Sequence, residues 1–160
     1  MKIKPPKVFL ALPSALARKD SNLTDESGIN RLRAVESFKR LIQKLRDQDV
    51  GVYCYLEACS WSDENFGDPT DSVPKELNEM LGSNHLIACP SYNKRISGGV
   101  HFLIGWAMAF DMRTTFIING FYHSTMITGL RGVTRSDVES YTYQIWPDET
   151  FEMVVKRVLT

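Results

Sequence analysis

The sequence predicts a single α/β domain with a five-stranded, mostly parallel sheet and helices on both faces, of the flavodoxin- or Rossmann-like class. Short apolar segments typical of buried strands alternate along the chain with segments of helical periodicity. The 160 residues, 43% hydrophobic and 24% charged, match one globular domain with a sizeable core. We therefore treat residues 1–160 as one domain.

The first strand is predicted at residues 8–12, an apolar run that ends before Pro13. An amphipathic helix follows at residues 29–45, where apolar side chains recur every three or four positions. Ser27 is a suitable N-cap for this helix, since its hydroxyl can accept a bond from a free backbone N–H.

The second strand is predicted in the segment VGVYCYLE and ends near Glu57. Residues 58–73 have the polar composition of a long loop, which can serve as a lid over a site. Pro74 is expected to open a short helix at its first position, and Gly82 to stop it.

The second half of the chain repeats the alternation. HLIACP predicts a third strand that is buried on both faces, RTTFIING a fourth and YTYQIW a fifth. Helices are predicted after the glycines near residue 98, at residues 124–130, and after Asp148 as the cap of the last helix. Ligands of such sheets bind beyond the carboxyl ends of the strands. We therefore expect one site among the loops after Leu12, Glu57, Pro90 and Gly120.

Composition excludes several functional classes. A formal net charge of zero argues against non-specific binding to nucleic acids or membranes, and no apolar run is long enough to span a bilayer. The cysteines Cys54, Cys59 and Cys89 lack metal-type spacing and indicate a reducing compartment, hence a cytoplasmic protein. Three scattered histidines do not form a metal site, and no cofactor is predicted.

The N-terminal segment allows a second interpretation. KIKPPK followed by VFLALPSALA has the charged and apolar regions of a secretory signal. The buried first strand is favoured, because Pro13 interrupts the apolar run and the following elements resemble an intracellular α/β protein.

The segment SGGVHFLIGWAMAF, residues 97–110, is the most informative for function. Ser97, Gly98 and Gly99 form a small polar loop that leads into a helix. Backbone N–H groups at a helix N-terminus favour anions, so this loop is a candidate phosphate cradle. An ordinary turn before a helix is the alternative. His101, in the first helical turn, is a candidate phosphate donor or acid/base.

Several segments together resemble the nucleoside 2-deoxyribosyltransferase superfamily, and most closely its 2′-deoxynucleoside 5′-phosphate N-hydrolase branch. The resemblance rests on VFLALPSA, SGGVHFLIGWAMAFDMRTTFII, STMITGLRG and YQIWPDETFEMVVKRVL, in that order along the chain. It implies a Rossmann-like fold, a nucleotide or nucleoside ligand, and double displacement at the sugar C1′ by a glutamate nucleophile.

The resemblance places leucines at both catalytic positions. The nucleophile's position is occupied by Leu103, and the assisting aspartate's position by Leu77, with Glu76 adjacent. The phosphate-binding positions correspond to Ser97, Gly98 and Gly99, and to Ser124 reaching the site of a neighbouring subunit in a homodimer or larger homo-oligomer. Leu12 replaces the family's first-turn glycine, although Ser14 can contribute a hydroxyl.

Three functional hypotheses follow. The first is a nucleotide- or nucleoside-binding protein without glycosyl-enzyme chemistry. The second is an active N-glycosidase or deoxyribosyltransferase that uses a displaced carboxylate, Glu57 or Glu76. The third is a dimeric interaction scaffold that binds no ligand. Trp61 and Trp106 are candidates for stacking on a base, although such residues more often pack in the core.

Overall fold

The computed structural model describes residues 5–18, 26–92, 95–119, 125–130, 136–141 and 148–160. Its main sheet has five strands in the order β2-β1-β3-β6-β7, and every neighbouring pair is parallel. The strands are β1 (Lys7–Ala11), β2 (Gly51–Cys54), β3 (His85–Ala88), β6 (Arg113–Asn119) and β7 (Ser136–Tyr141). The prediction of a Rossmann-like α/β fold is therefore confirmed, with the doubly wound strand order of flavodoxin-like proteins.

Helices cover both faces of the sheet. They are α1 (Glu26–Arg46), α2 (Tyr55–Ala58), α3 (Pro69–Leu81), α4 (Gly98–Ala109), α5 (Thr125–Gly129) and α6 (Asp148–Leu159). Alternate residues of β1 enter two separate cores: Val8 packs with residues of α1 and α6, and Phe9 packs with residues of α3 and α4. None of the helices in the described part of the chain has the length and apolarity to cross a membrane.

The region after β2 differs from the prediction. The strand stops at Cys54, and Tyr55–Ala58 forms the short helix α2, so Glu57 lies on a helix and not at a strand end. The prediction of a long loop at residues 58–73 was also wrong, because α3 begins at Pro69 and Pro74 lies inside the helix. The Asp68 side chain accepts a hydrogen bond from the backbone N–H of Thr70 at 2.8 Å and caps this earlier start.

Three further boundaries differ. Ser27 lies inside α1 and is not its cap, since the helix begins at Glu26, and Asp148 is the first residue of α6. The last strand is the polar segment Ser136–Tyr141, whereas residues 142–146 of the predicted strand lie outside the described residues. A two-stranded antiparallel ribbon of β4 (Ser91–Tyr92) and β5 (Arg95–Ile96) precedes α4 and was not predicted.

Candidate functional site

A cleft of about 470 Å³ lies at the carboxyl end of β1. Its walls come from the turn after β1, from α2 and α3, and from the first turns of α4. This is the edge of the sheet at which the topology predicts a ligand. The volume lies within the range of about 300–1,000 Å³ common for small-molecule sites.

The N-terminus of α4 forms one wall of the cleft. Ser97 is the N-cap of α4, and its Oγ accepts a hydrogen bond from the Val100 backbone N–H at 3.4 Å. Ser97 and Gly99 line the cleft, whereas Gly98, also exposed, is not part of the lining. A Cβ atom on either glycine would have no neighbour within 4 Å, so the space beside this first turn of α4 is open.

His101 supports the loop and does not line the cleft. Its ring Nδ1 lies 2.8 Å from the carbonyl oxygen of Ser97, which also accepts the His101 backbone N–H at 3.1 Å. A carbonyl can only accept, so the proton is on Nδ1. The other ring nitrogen, Nε2, is buried and has no hydrogen-bond partner among the described residues. The structure thus places the His101 ring against Ser97 and outside the cleft lining, and its role as a phosphate ligand or acid/base stays a prediction.

Glu76 carries the only formally charged side chain among the described residues of the lining. It projects from α3, and burial raises its pKa to about 6. The neighbouring Tyr53 has a pKa raised to about 12, chiefly by burial and then by the charges of Glu76 and Glu79. At neutral pH the cleft therefore contains one carboxylate that is easily protonated and, close behind it, a neutral phenol.

Glu57 lies outside the cleft lining and is bound to another charged group. Its two carboxylate oxygens accept hydrogen bonds from Nη1 and Nη2 of Arg46 at 2.8 and 2.7 Å. This bidentate hydrogen bond is the main reason that the pKa of Arg46 is raised. Of the two displaced carboxylates considered from sequence, the structure brings only Glu76 into the cleft.

The positions that the resemblance assigns to catalysis face the cleft. Leu103, at the nucleophile's position, and Leu77, at the assisting position, both line it, so this part of the wall is apolar. Leu12 and Ser14 also line the cleft, and Ser14 begins a 3₁₀ turn after β1. Ser124 lies outside the described residues.

The aromatic surfaces of the cleft were missed by sequence reasoning. Tyr55 and Phe66 line it and form a tilted ring pair with centroids 5.4 Å apart. Trp61 instead packs against the core on one side of the sheet, and Trp106 lies between Phe102 and Phe110 along α4. Tyr55 directly follows β2, so its position after a strand was the available signal.

His85 and the three cysteines do not line the cleft. His85 is buried in β3, where its Nε2 lies 2.8 Å from Oγ1 of Thr115. The three cysteines have free, buried thiols, and burial raises the pKa of Cys54 and Cys89 to about 12. His123 lies outside the described residues. Among the described residues, no group of three or more His, Cys, Asp or Glu side chains could hold a metal ion.

Comparison with known proteins identifies the fold and no family. No protein-family model and no curated protein match the sequence. Among solved structures, the CMP N-glycosidase BcmB of Clostridium botulinum matches with a TM-score of 0.64 and 19% identity, over 92% of this chain and 97% of that one. A conserved protein from Enterococcus faecalis matches with a TM-score of 0.65 and 15% identity, over 98% of both chains. The chain shares the fold of these two proteins over almost its whole length.

Proposed function

We propose that the cleft binds a nucleotide or nucleoside derivative and that the protein lacks the glycosyl-enzyme chemistry of the nucleoside 2-deoxyribosyltransferase superfamily. The observation that carries the proposal is the composition of the cleft wall, which contains Leu103, the residue that the resemblance assigns to the nucleophile's position, and the helix N-terminus at Ser97 and Gly99. The fold shared with a CMP N-glycosidase supports a ligand of this class.

The cleft lining contains both polar groups that suit a phosphate or sugar and aromatic rings that suit a base. Ser97, Gly99 and Ser14 offer hydroxyl and N–H groups to a phosphate or a sugar. Tyr55 and Phe66 offer ring faces to a base. No lysine or arginine is among the described lining residues, so the proposed recognition of phosphate relies on hydrogen bonds and the α4 dipole.

The absence of a second carboxyl group supports binding over covalent catalysis. Retaining cleavage of a glycosidic bond requires a carboxylate nucleophile and a second carboxyl group about 5–5.5 Å away. Glu76 is the only carboxyl side chain among the described lining residues, and a leucine at position 103 cannot attack a sugar carbon.

Isothermal titration calorimetry tests the proposal with two matched glycine variants. Nucleosides and nucleoside monophosphates are titrated into the wild type, Gly99→Ala and Gly98→Ala. Both variants add one methyl group to the same helical turn without an intramolecular clash, but only Gly99 lines the cleft. We expect Gly99→Ala to weaken binding by about tenfold, equivalent to about 1.4 kcal/mol, and Gly98→Ala to match the wild type. Absence of binding to every compound, or equal effects of the two variants, would contradict the proposal.

Glu76 supports a second candidate function, an N-glycosidase that uses this carboxyl group as its acid or base. A pKa near 6 is suited to proton transfer close to neutral pH. Release of free base from deoxynucleoside monophosphates is measured by chromatography with the wild type and Glu76→Gln. Turnover that disappears in Glu76→Gln would establish the enzyme and reject the binding-only function. No base release is the outcome we expect.

The proposal also includes the assembly and location implied by the sequence. Ser124 is proposed to reach the cleft of a neighbouring subunit in a homodimer or larger homo-oligomer, within the cytoplasm. Ser124→Ala is then expected to weaken the binding of nucleoside monophosphates more than the binding of the corresponding nucleosides, because the Ser124 hydroxyl would contact the phosphate. Equal weakening of both ligand classes would contradict this role.

A further inference from the structure

The carboxyl group of Glu76 has no partner within the described part of the chain. It makes no hydrogen bond or ion pair there, and burial is the cause of its raised pKa. The strand lysine Lys7 is bound instead to Glu79, one turn further along α3, at 2.7 Å. A partly buried carboxylate without hydrogen bonds costs free energy. In the wall of a cleft, such a group indicates a ligand that supplies the missing donors.

The side of α3 that carries Glu76 into the cleft is otherwise apolar. Pro69, Val73 and Leu77 line the cleft on the same side of the helix, three or four residues apart along the chain. Their side chains neither donate nor accept hydrogen bonds. A polar group of a ligand that lies against this wall therefore has the Glu76 carboxylate as its partner from the described lining of α3.

An aromatic surface lies beside the same turn of α3. Tyr55 and Phe66 line the cleft as a ring pair. The hydroxyl of Tyr55 interacts with the side chain of Ser72, which lies on α3 four residues before Glu76. Four residues are about one helical turn, or roughly 5.4 Å along the axis. A planar base that stacks on Tyr55 can therefore present one edge to the Glu76 carboxylate.

We propose that Glu76 determines which base the cleft accepts, and that it selects a base edge with two adjacent N–H donors, as in guanine. This inference rests on the nucleotide or nucleoside binding proposed above. An ionised carboxylate can only accept hydrogen bonds, and its two oxygens suit two parallel N–H groups. The edge of guanine that carries the ring N1–H and the exocyclic 2-amino group presents two such donors side by side.

The other common bases match an ionised carboxylate less well. Adenine and cytosine present an amino donor beside a ring nitrogen that accepts, so one carboxylate oxygen would face another acceptor. Uracil and hypoxanthine offer a single ring N–H on the corresponding edge. A hydrogen bond to a charged group that is lost in this way lowers affinity by about 10–100-fold. At pH 7.5, above its pKa of about 6, Glu76 is mainly ionised and the selection applies.

Replacement of Glu76 by glutamine changes the hydrogen-bonding pattern while the size of the side chain stays the same. The amide group has one accepting oxygen and one donating nitrogen. This pair matches the amino group and ring N1 of adenine, and one of its members opposes the two donors of guanine. Glu76→Gln is therefore expected to exchange the preference for guanine for a preference for adenine. A purely structural role of Glu76 would not exchange one base for another.

Isothermal titration calorimetry at pH 7.5 tests the proposal with guanosine, inosine, adenosine and cytidine, each as nucleoside and 5′-monophosphate. Guanosine and inosine differ only in the 2-amino group. We expect the wild type to bind the guanosine compounds about 10–100-fold more tightly than the others. Glu76→Gln should bind the adenosine compounds at least as tightly as the guanosine compounds. Glu79→Gln is the matched control, because Glu79 lies on the same helix but outside the cleft lining, and it should keep the wild-type preference.

Three results overturn the proposal and leave nucleoside binding in place. The first is a wild type that binds any of the other compounds as tightly as its guanosine counterpart. The second is a preference for guanosine that persists in Glu76→Gln. The third is an equal loss of this preference in Glu79→Gln, which would assign it to the negative charge of α3 in general. Absence of binding to every compound would instead reject the proposed function, and the selection of a base with it.

Discussion

Replacement of Glu76 by glutamine should stabilise the protein at pH 8 and leave its stability unchanged near pH 4. Burial in the cleft wall raises the pKa of Glu76 from its ordinary value of 4.5 to about 6. Between these two values the folded chain holds a proton that the unfolded chain has released. The contribution of Glu76 to stability therefore falls as the pH rises through this window, and the neutral amide avoids the loss.

The magnitude follows from the shift in pKa. One pKa unit corresponds to about 1.36 kcal/mol, so the shift of Glu76 corresponds to about 2 kcal/mol before any correction for solvent. The carboxyl is only partly buried, and screening by water reduces the expected gain at pH 8 to about 1 kcal/mol. In a chain of this size, that gain corresponds to a rise in Tm of about 2–4 °C.

Urea unfolding of the wild type, Glu76→Gln and Glu79→Gln between pH 4 and pH 8 measures the effect. Glu79 lies one turn further along α3 and accepts a hydrogen bond from Lys7 Nζ at 2.7 Å. Its replacement should destabilise the protein by about 0–1 kcal/mol at pH 8, the opposite direction. If Glu76→Gln raised the free energy of unfolding by the same amount at every pH, or lowered it at pH 8, burial of the Glu76 carboxylate would not be the cause of the effect.

Three other variants or reactions test the site and the core. Leu103→Glu places a carboxylate at the position that the resemblance assigns to the nucleophile. Chromatography should then detect base release by Leu103→Glu and none by Leu103→Gln, and equal activity of the two variants would contradict the assignment of position 103 to the nucleophile. Glu57→Gln should leave ligand affinity in calorimetry unchanged and cost about 0.5 kcal/mol of stability in urea, through the lost contact with Arg46. Cys54 and Cys89, with pKa values raised to about 12, should stay unreactive toward a thiol reagent at pH 8 until guanidinium unfolds the protein, and rapid native labelling would argue against their burial.

Elements with apolar periodicity were predictable, and elements that depend on distant partners were not. β3 is buried along its whole length, as its continuous apolar sequence indicates, and the apolar face of α1 enters the core. β7 has the sequence SDVESY, which carries no strand signal. Its hydrogen bonds are made to the backbone of β6, so the pairing partner defines it as a strand.

The same division applies to the site. The pattern of residues 97–103 predicted the N-terminus of α4, and the cleft wall includes Leu103, which the resemblance assigns to the nucleophile's position. Both predictions depend on short segments. Sequence reasoning could not separate Glu57 from Glu76. The guanidinium of Arg46, which comes from another helix, binds both oxygens of Glu57, and Glu57 lies outside the cleft lining.

By itself, the sequence determined the fold class and indicated the carboxyl edge of the sheet, where the cleft lies; the ligand and the assignment of Leu103 to the nucleophile's position stay predictions. These follow from periodicity, strand order and local motifs, which are properties of neighbouring residues. Only the tertiary structure decided which carboxyl group enters the cleft, that His101 supports the loop, and that Phe102 and Phe110 are exposed. Burial and pairing depend on residues far apart in the chain, and folding alone brings those residues together.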